Sequence, residues 1–148
     1  MMDWKYFTLD ELCLSFTAKQ FHIENKPNEE QIKNLDRLVT TLLDPLRETW
    51  GSPIIVSSGF RCKELNKLVG GVNNSYHLFG LAADIVAPST RRSSAVNNMW
   101  LFKLIEKNMK SLCVDEVIAE KASSHACQWI HVQIPFLGVS PRYKAFCK

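Results

Sequence analysis

The chain has 148 residues, is 46% hydrophobic and 22% charged, and carries a net charge of +3. That is enough chain for one domain with a real core, spanning residues 1–148. No apolar run approaches the roughly 20 residues that cross a bilayer, so stable membrane insertion is not expected, and the basic excess is too small and scattered to argue for nucleic acid.

The N-terminus, Met1-Met2-Asp3-Trp4-Lys5-Tyr6-Phe7, has no basic segment leading into an apolar run, so no signal peptide is read there. Five cysteines, Cys13, Cys62, Cys113, Cys127 and Cys147, include no Cys-x-x-Cys pair. Free thiols in a reducing compartment are expected, rather than a disulfide framework or a cysteine zinc site.

In chain order, Thr8 and Glu11 read as a capping box opening a short helix that ends between Ser15 and Ala18, with Leu9, Leu12 and Phe16 on one face. Asn28 caps a long amphipathic helix running to about Trp50, whose stripe is Ile32, Leu35, Leu38, Val39, Leu42, Leu43 and Leu46. Pro45 should kink or divide it, and Gly51 ends it. Residues 53–58 read as a strand, and Lys63 to Val69 as a short helix closed by Gly70. A loop to Tyr76 precedes a second strand over 81–87. Thr90 to Met109 has helical spacing at Val96, Met99, Trp100, Phe102 and Leu104, with Arg91 and Arg92 in solvent. Residues 114–120 and 128–134 read as a hairpin around a loop at 121–127, and Arg142 to Cys147 as an edge strand. The fold class is α+β, with a small antiparallel or mixed sheet flanked by helices.

The chemistry gathers around Asp84. It lies among Ala82, Ala83, Ile85 and Val86, and a carboxylate in such company must be paired, hydrogen-bonded or metal-bound. His77 precedes it by seven residues, with Gly80 between them to turn the chain. In Trp129-Ile130-His131-Val132-Gln133-Ile134, alternation puts Ile130, Val132 and Ile134 on one face and Trp129, His131 and Gln133 on the other. Read singly, His131 is either a cleft wall or a space-filling histidine, and Asp84 either a ligand or a capping or salt-bridged group. Two histidines and one carboxylate match the ligand count of a catalytic zinc, which keeps one position for water.

Ser58-Gly59-Phe60-Arg61, Leu65-Asn66, Val69-Gly70-Gly71, Ser75-Tyr76-His77, Gly80-Leu81-Ala82-Ala83-Asp84-Ile85 and Trp129-Ile130-His131-Val132 together resemble the zinc D-alanyl-D-alanine carboxypeptidase family. Its relatives include the L-alanyl-D-glutamate endopeptidases of phage endolysins, and the hedgehog signalling domain shares the fold. Tyr6-Phe7-Thr8 with Glu11-Leu12, and Leu43-Asp44-Pro45-Leu46-Arg47, extend the resemblance over most of the chain. It implies that His77, Asp84 and His131 hold zinc, that Arg61 meets the substrate carbonyl or carboxylate, and that Ser75 hydrogen-bonds substrate or a neighbouring group. A guanidinium, permanently charged and forked, suits that task.

Several relatives carry the general base three residues before the last zinc histidine, where this chain has Gln128, which is no base. Glu120, at the end of Asp115-Glu116-Val117-Ile118-Ala119-Glu120, is the replacement that hairpin pairing would bring near the metal; Glu116 shares its face, Asp115 lies on the other, and His125 is a weaker alternative. The resemblance implies a zinc peptidase cutting a peptide bond in peptidoglycan stem peptides, of carboxypeptidase or endopeptidase type. A phage or prophage lysis enzyme is expected, monomeric, made in the bacterial cytoplasm and acting on the cell wall. The alternative is a non-catalytic, metal-containing module that binds wall peptides or a phage protein.

Overall fold

The computed structural model describes residues 2–148. Five strands form one mixed sheet: β1 (Ile55–Ser58), β2 (Ala82–Val86), β3 (Glu116–Glu120), β4 (Trp129–Gln133) and β5 (Lys144–Cys147), in the order β1-β2-β4-β3-β5. All neighbours are antiparallel except β3 and β5, which run parallel. The expected α+β class with a mixed sheet is what the chain adopts. Among the described residues, no helix is long and apolar enough to cross a membrane.

One sheet face is apolar: Ala83, Ile85, Val117, Ala119, Ile130 and Val132 are fully buried there. They meet Leu35, Leu38, Val39, Leu42, Leu43 and Leu46 of the long helix and Leu101, Phe102 and Ile105 of a second one, Ser94–Lys107, in one continuous core. Each leucine so buried contributes roughly 2 kcal/mol.

The helices are α1 (Leu9–Cys13), α2 (Phe16–Gln20), α3 (Glu29–Leu38), α4 (Asp44–Trp50), α5 (Lys63–Leu68) and α6 (Ser94–Lys107). The helix expected to end at Ser15 to Ala18 is two helices. Leu14 is extended, and Ser15 caps α2 by accepting from the Ala18 N–H. The break rotates Phe16 off the Leu12 face, so it is 78% exposed rather than core. The reciprocal capping box forms at Asn28 and Gln31, while at Thr8 the hydroxyl accepts from the Glu11 N–H.

Between α3 and α4 the chain stays helical but widens to a π-helical turn over Val39–Leu43, where the Asp44 N–H reaches Val39 O. Pro45 explains it, having no N–H to donate to Thr41 O and a ring that would collide with that carbonyl in α-geometry. The proline widens the helix rather than ending it. The Asp44 carboxylate then accepts from the backbone N–H groups of Lys5 and Tyr6, at 2.8 and 3.1 Å, and fastens the N-terminal segment to α4.

In α6 the buried stripe is Asn98, Leu101, Phe102, Ile105 and then Met109. Trp100, expected inside, is 56% exposed beneath the Arg92 guanidinium. Asn98 holds its buried place because its amide is satisfied, accepting from the Ala87 N–H and donating to Cys127 O and Gln128 O.

The other sheet face carries the polar residues. Register aligns Ser58 with Asp84, Asp84 with His131, His131 with Ile118, and Ile118 with Phe146, so one row crosses all five strands.

Candidate metal centre

Asp84 and His131 face each other on β2 and β4. His77 joins them from a 3-10 turn, Tyr76–Phe79, capped by Ser75, whose Oγ accepts from the His77 N–H at 3.2 Å, and closed by Gly80 in the left-handed region. The Arg61 N–H donates to His77 O at 3.1 Å, tying this turn to the segment after β1. One ligand atom from each of His77, Asp84 and His131 lies within 4.8 Å of the others.

The hydrogen bonds fix which ring nitrogens carry protons. His77 Nδ1 is 2.7 Å from Gly59 O. A carbonyl only accepts, so Nδ1 holds the hydrogen, and in the neutral ring Nε2 presents a lone pair. That lone pair stands 3.3 Å from Asp84 Oδ1. On His131, Nε2 is 2.7 Å from Gln133 Oε1. The Gln133 amide is itself oriented, its Nε2 donating to Asp115 Oδ2 at 2.9 Å, so Oε1 must accept from His131. In the neutral His131 ring, Nδ1 is then the lone-pair nitrogen, 3.1 Å from the same Asp84 Oδ1.

Two imidazole lone pairs and a carboxylate oxygen thus converge with no proton between them in the neutral rings. Such a set can hold a cation. Ligand atoms about 2.0–2.1 Å from a zinc ion at the tetrahedral angle stand roughly 3.3–3.4 Å apart, close to the 3.1 and 3.3 Å observed. The donor set fits zinc.

In the metal-free protein the two rings are pulled in opposite directions. Burial pushes the His77 pKa down, against the pull of Asp84, favouring the neutral ring. For Asp84, burial opposes the charge but is outweighed by the pull of His131 and His77, so its carboxyl sits well below the usual carboxylate range. For His131 burial also opposes charge, but Asp84, Gln133 and Glu116 prevail and its pKa rises in the metal-free protein. Burial lowers the Arg61 pKa while Asp84 raises it.

Arg61 lies beside the centre. Its Nε donates to Ser58 Oγ at 3.0 Å, Nη1 to Asn66 Oδ1 at 3.1 Å and Nη2 to Asp84 Oδ2 at 3.3 Å. A cleft of about 670 Å³ opens over the row and is lined by Arg61, Ser75, His77, Asp84, Glu120 and His131 among others. Glu120 pairs with Trp129, one same-face position along from the Ile118–His131 pair. Glu116 lines the cleft too; Gln128 and His125 are exposed and do not.

Reading the sequence alone misses Gln133, Asp115 and Arg142 as supports of His131. Gln133 is in view, two residues on and on the same face. Asp115 is expected on the opposite face, but it sits just before β3, outside the strand's alternation, and its carboxylate meets Gln133. Arg142 comes from a distant segment that no local pattern connects to it.

No curated protein matches the chain. A family model described as Peptidase M15 matches residues 5–132, a span that holds Arg61, Ser75, His77, Asp84, Glu120 and His131. With most of its length matched, the chain belongs to the peptidase M15 family, a family of zinc peptidases.

Proposed function

We propose that this chain hydrolyses a peptide bond in the stem peptides of peptidoglycan, with zinc held by His77, Asp84 and His131. The observation that carries the reading is the convergence of His77 Nε2 and His131 Nδ1 on Asp84 Oδ1, at 3.3 and 3.1 Å. When bound, zinc acidifies its water toward a pKa of about 7 and polarises a carbonyl. Glu120 is the base in this reading: it takes a proton from the attacking water and returns it to the departing amine. Its support is its strand register and its place in the cleft lining. Arg61 orients the substrate with the guanidinium N–H groups not engaged by Ser58, Asn66 and Asp84. Ser75 keeps a hydroxyl hydrogen to donate while its oxygen caps the His77 turn. The cell wall is the proposed site of action, as for a lysis enzyme, and the monomer the proposed state.

The test is digestion of purified muropeptides by the zinc-loaded, untagged protein, read by mass spectrometry. One cleaved bond is expected, and its position distinguishes carboxypeptidase from endopeptidase. Glu120→Gln should keep about one zinc per chain and lower turnover by roughly 10²–10⁴-fold. Unchanged turnover would move the base elsewhere, and a zinc-replete protein that cleaves nothing would favour the non-catalytic binding module.

A further inference from the structure

His131 is backed by a line of three polar residues that ends at the surface. Its Nε2–H donates to Gln133 Oε1 at 2.7 Å, and Gln133 Nε2 donates to Asp115 Oδ2 at 2.9 Å. Arg142 meets that carboxylate with its backbone N–H at 3.1 Å, with Nε at 3.1 and 3.2 Å, and with Nη2 at 2.7 Å. Gln133 is 5% and Asp115 2% exposed, so neither has bulk water as a substitute partner. The two outer members of the line in sequence, Gln133 and Arg142, lie just past the span that matches the family model.

The line has a direction. Arg142 has only donors to offer, so Asp115 is an acceptor at both oxygens. Asp115 therefore requires the NH₂ end of the Gln133 amide, and Gln133 then offers His131 only its carbonyl. Turning the amide over would set its oxygen against the Asp115 carboxylate and its NH₂ against the His131 N–H, and would lose two buried hydrogen bonds. The alternative for the ring is specific. With hydrogen on Nδ1 instead, His131 would donate to Asp84 Oδ1, 3.1 Å away. That arrangement is attractive in the absence of metal and places a proton where the metal needs a lone pair.

We infer that Arg142, Asp115 and Gln133 are positioning residues that lock His131 in its Nε2–H tautomer and so keep Nδ1 open as a metal ligand. The inference rests on the reading of His131 as a ligand, and makes the C-terminal segment around Arg142 part of what sets metal affinity. Outer partners of metal-bound histidines are generally worth about 10–100-fold in metal affinity.

Two measurements on the untagged full chain test it. In the metal-free protein, long-range proton–nitrogen NMR of His131, at a pH where the ring is neutral, should report Nε2–H. In Gln133→Leu it should shift toward Nδ1–H. A wild-type ring already protonated at Nδ1, or an unchanged tautomer in the variant, overturns the inference. Competition with a chromophoric zinc chelator should show Gln133→Leu binding zinc about 10–100-fold more weakly. The paired change Asp115→Asn with Gln133→Glu reverses the 115–133 hydrogen bond, Asn now donating to Glu, while keeping an acceptor toward His131, and should restore most of that affinity. Equal affinity in Gln133→Leu and wild type, or no recovery in the paired variant, overturns it as well. Thermal unfolding of the metal-free forms separates lost folding from lost affinity, and Asp115→Asn alone stands in if Gln133→Leu does not fold. A wild-type protein that binds no zinc would sink the metal centre itself, while the tautomer measurement would still decide the role of the line.

Discussion

Replacing Gly71 by alanine should disable Arg61 without touching a proposed metal ligand. A Cβ at this position would stand 2.0 Å from Asn66 Oδ1, 2.7 Å from Asn66 Cγ and 3.0 Å from Arg61 Nη1. Asn66 is 3% exposed and has no free direction of retreat. Its Oδ1 accepts from Arg61 Nη1, its Nδ2 donates to Val72 O at 2.9 Å, and its own carbonyl accepts from the Gly71 N–H at 2.8 Å. Any shift that clears the Cβ breaks the first two bonds. One involves a charged group, so the loss sums to about 2–4 kcal/mol. At roughly 2–4 °C per kcal/mol for a chain of this size, the melting temperature should fall by on the order of 5–15 °C. The protein that remains folded should still bind zinc through His77, Asp84 and His131, yet cleave muropeptides poorly because Arg61 has lost a support. Differential scanning calorimetry, zinc analysis and single-substrate kinetics read the three effects separately. A variant with wild-type melting and wild-type kcat/KM would refute the reasoning, since it would mean that Asn66 does not hold Arg61 in place.

The Asp115–Arg142 pair predicts a pH signature. Burial works against the Asp115 charge, but hydrogen bonds from Arg142 and Gln133 outweigh it and hold the carboxyl below its ordinary value. A lowered folded pKa contributes stability fully present above the unfolded value of about 3.9 and lost as pH falls through the lower folded value. In urea melts, Arg142→Met should therefore be most destabilised relative to wild type near neutrality, with the gap closing toward acid; an equal gap at all pH values would contradict this. All five cysteines are free. Cys113 and Cys147 are exposed, whereas burial pushes the Cys13 and Cys127 thiols up to about 11. Iodoacetamide near pH 8 should label Cys113 and Cys147 first and Cys127 last in the native protein, and early labelling of Cys127 would contradict its burial.

The grouping of His77, Asp84 and His131 is legible in the sequence because the signals are local. A charged residue inside a short apolar strand, and a histidine on the polar side of an alternating one, declare a shared face before any pairing is known. The strands themselves are legible for the same reason, within a residue or two at each end. The helices show where local rules fail. Trp100 fits the periodicity of α6 as well as Leu101 does, and what excludes it is Asn98, whose burial depends on acceptors and donors at Ala87, Cys127 and Gln128. Phe16 is misread because two extended residues, Leu14 and Ser15, reset the helical phase. The Gly70-Gly71 pair is visible as a turn, but only the packed structure shows that Gly71 is there for Asn66 and Arg61. Likewise, Gln133 is visible beside His131 and Asp115 meets it across the β3–β4 hairpin, whereas Arg142 is brought there by a parallel pairing of β3 with β5 that no hairpin signal announces.

The same pairing bears on Gln128. It precedes β4 by one residue, its N–H closes the hairpin on Glu120 O at 2.9 Å, and its side chain is exposed, outside the cleft lining. An acid delivered from β3 then depends on register rather than on the residue three before the histidine. Side chains alternate along a strand, so a one-residue slip of β3 against β4 would carry Glu120 from the cleft face to the core face. The slip would also drive Val117 and Ala119, now fully buried, toward the cleft. Two features oppose it from the far side of β3. β5 pairs Glu116 to Ala119 with Lys144 to Cys147, and Arg142 grips Asp115 immediately before the strand. The proposed base, Glu120, and the proposed metal ligand, His131, thus share supports, since the Arg142–Asp115 grip that backs His131 through Gln133 also helps to keep Glu120 on its face of the sheet.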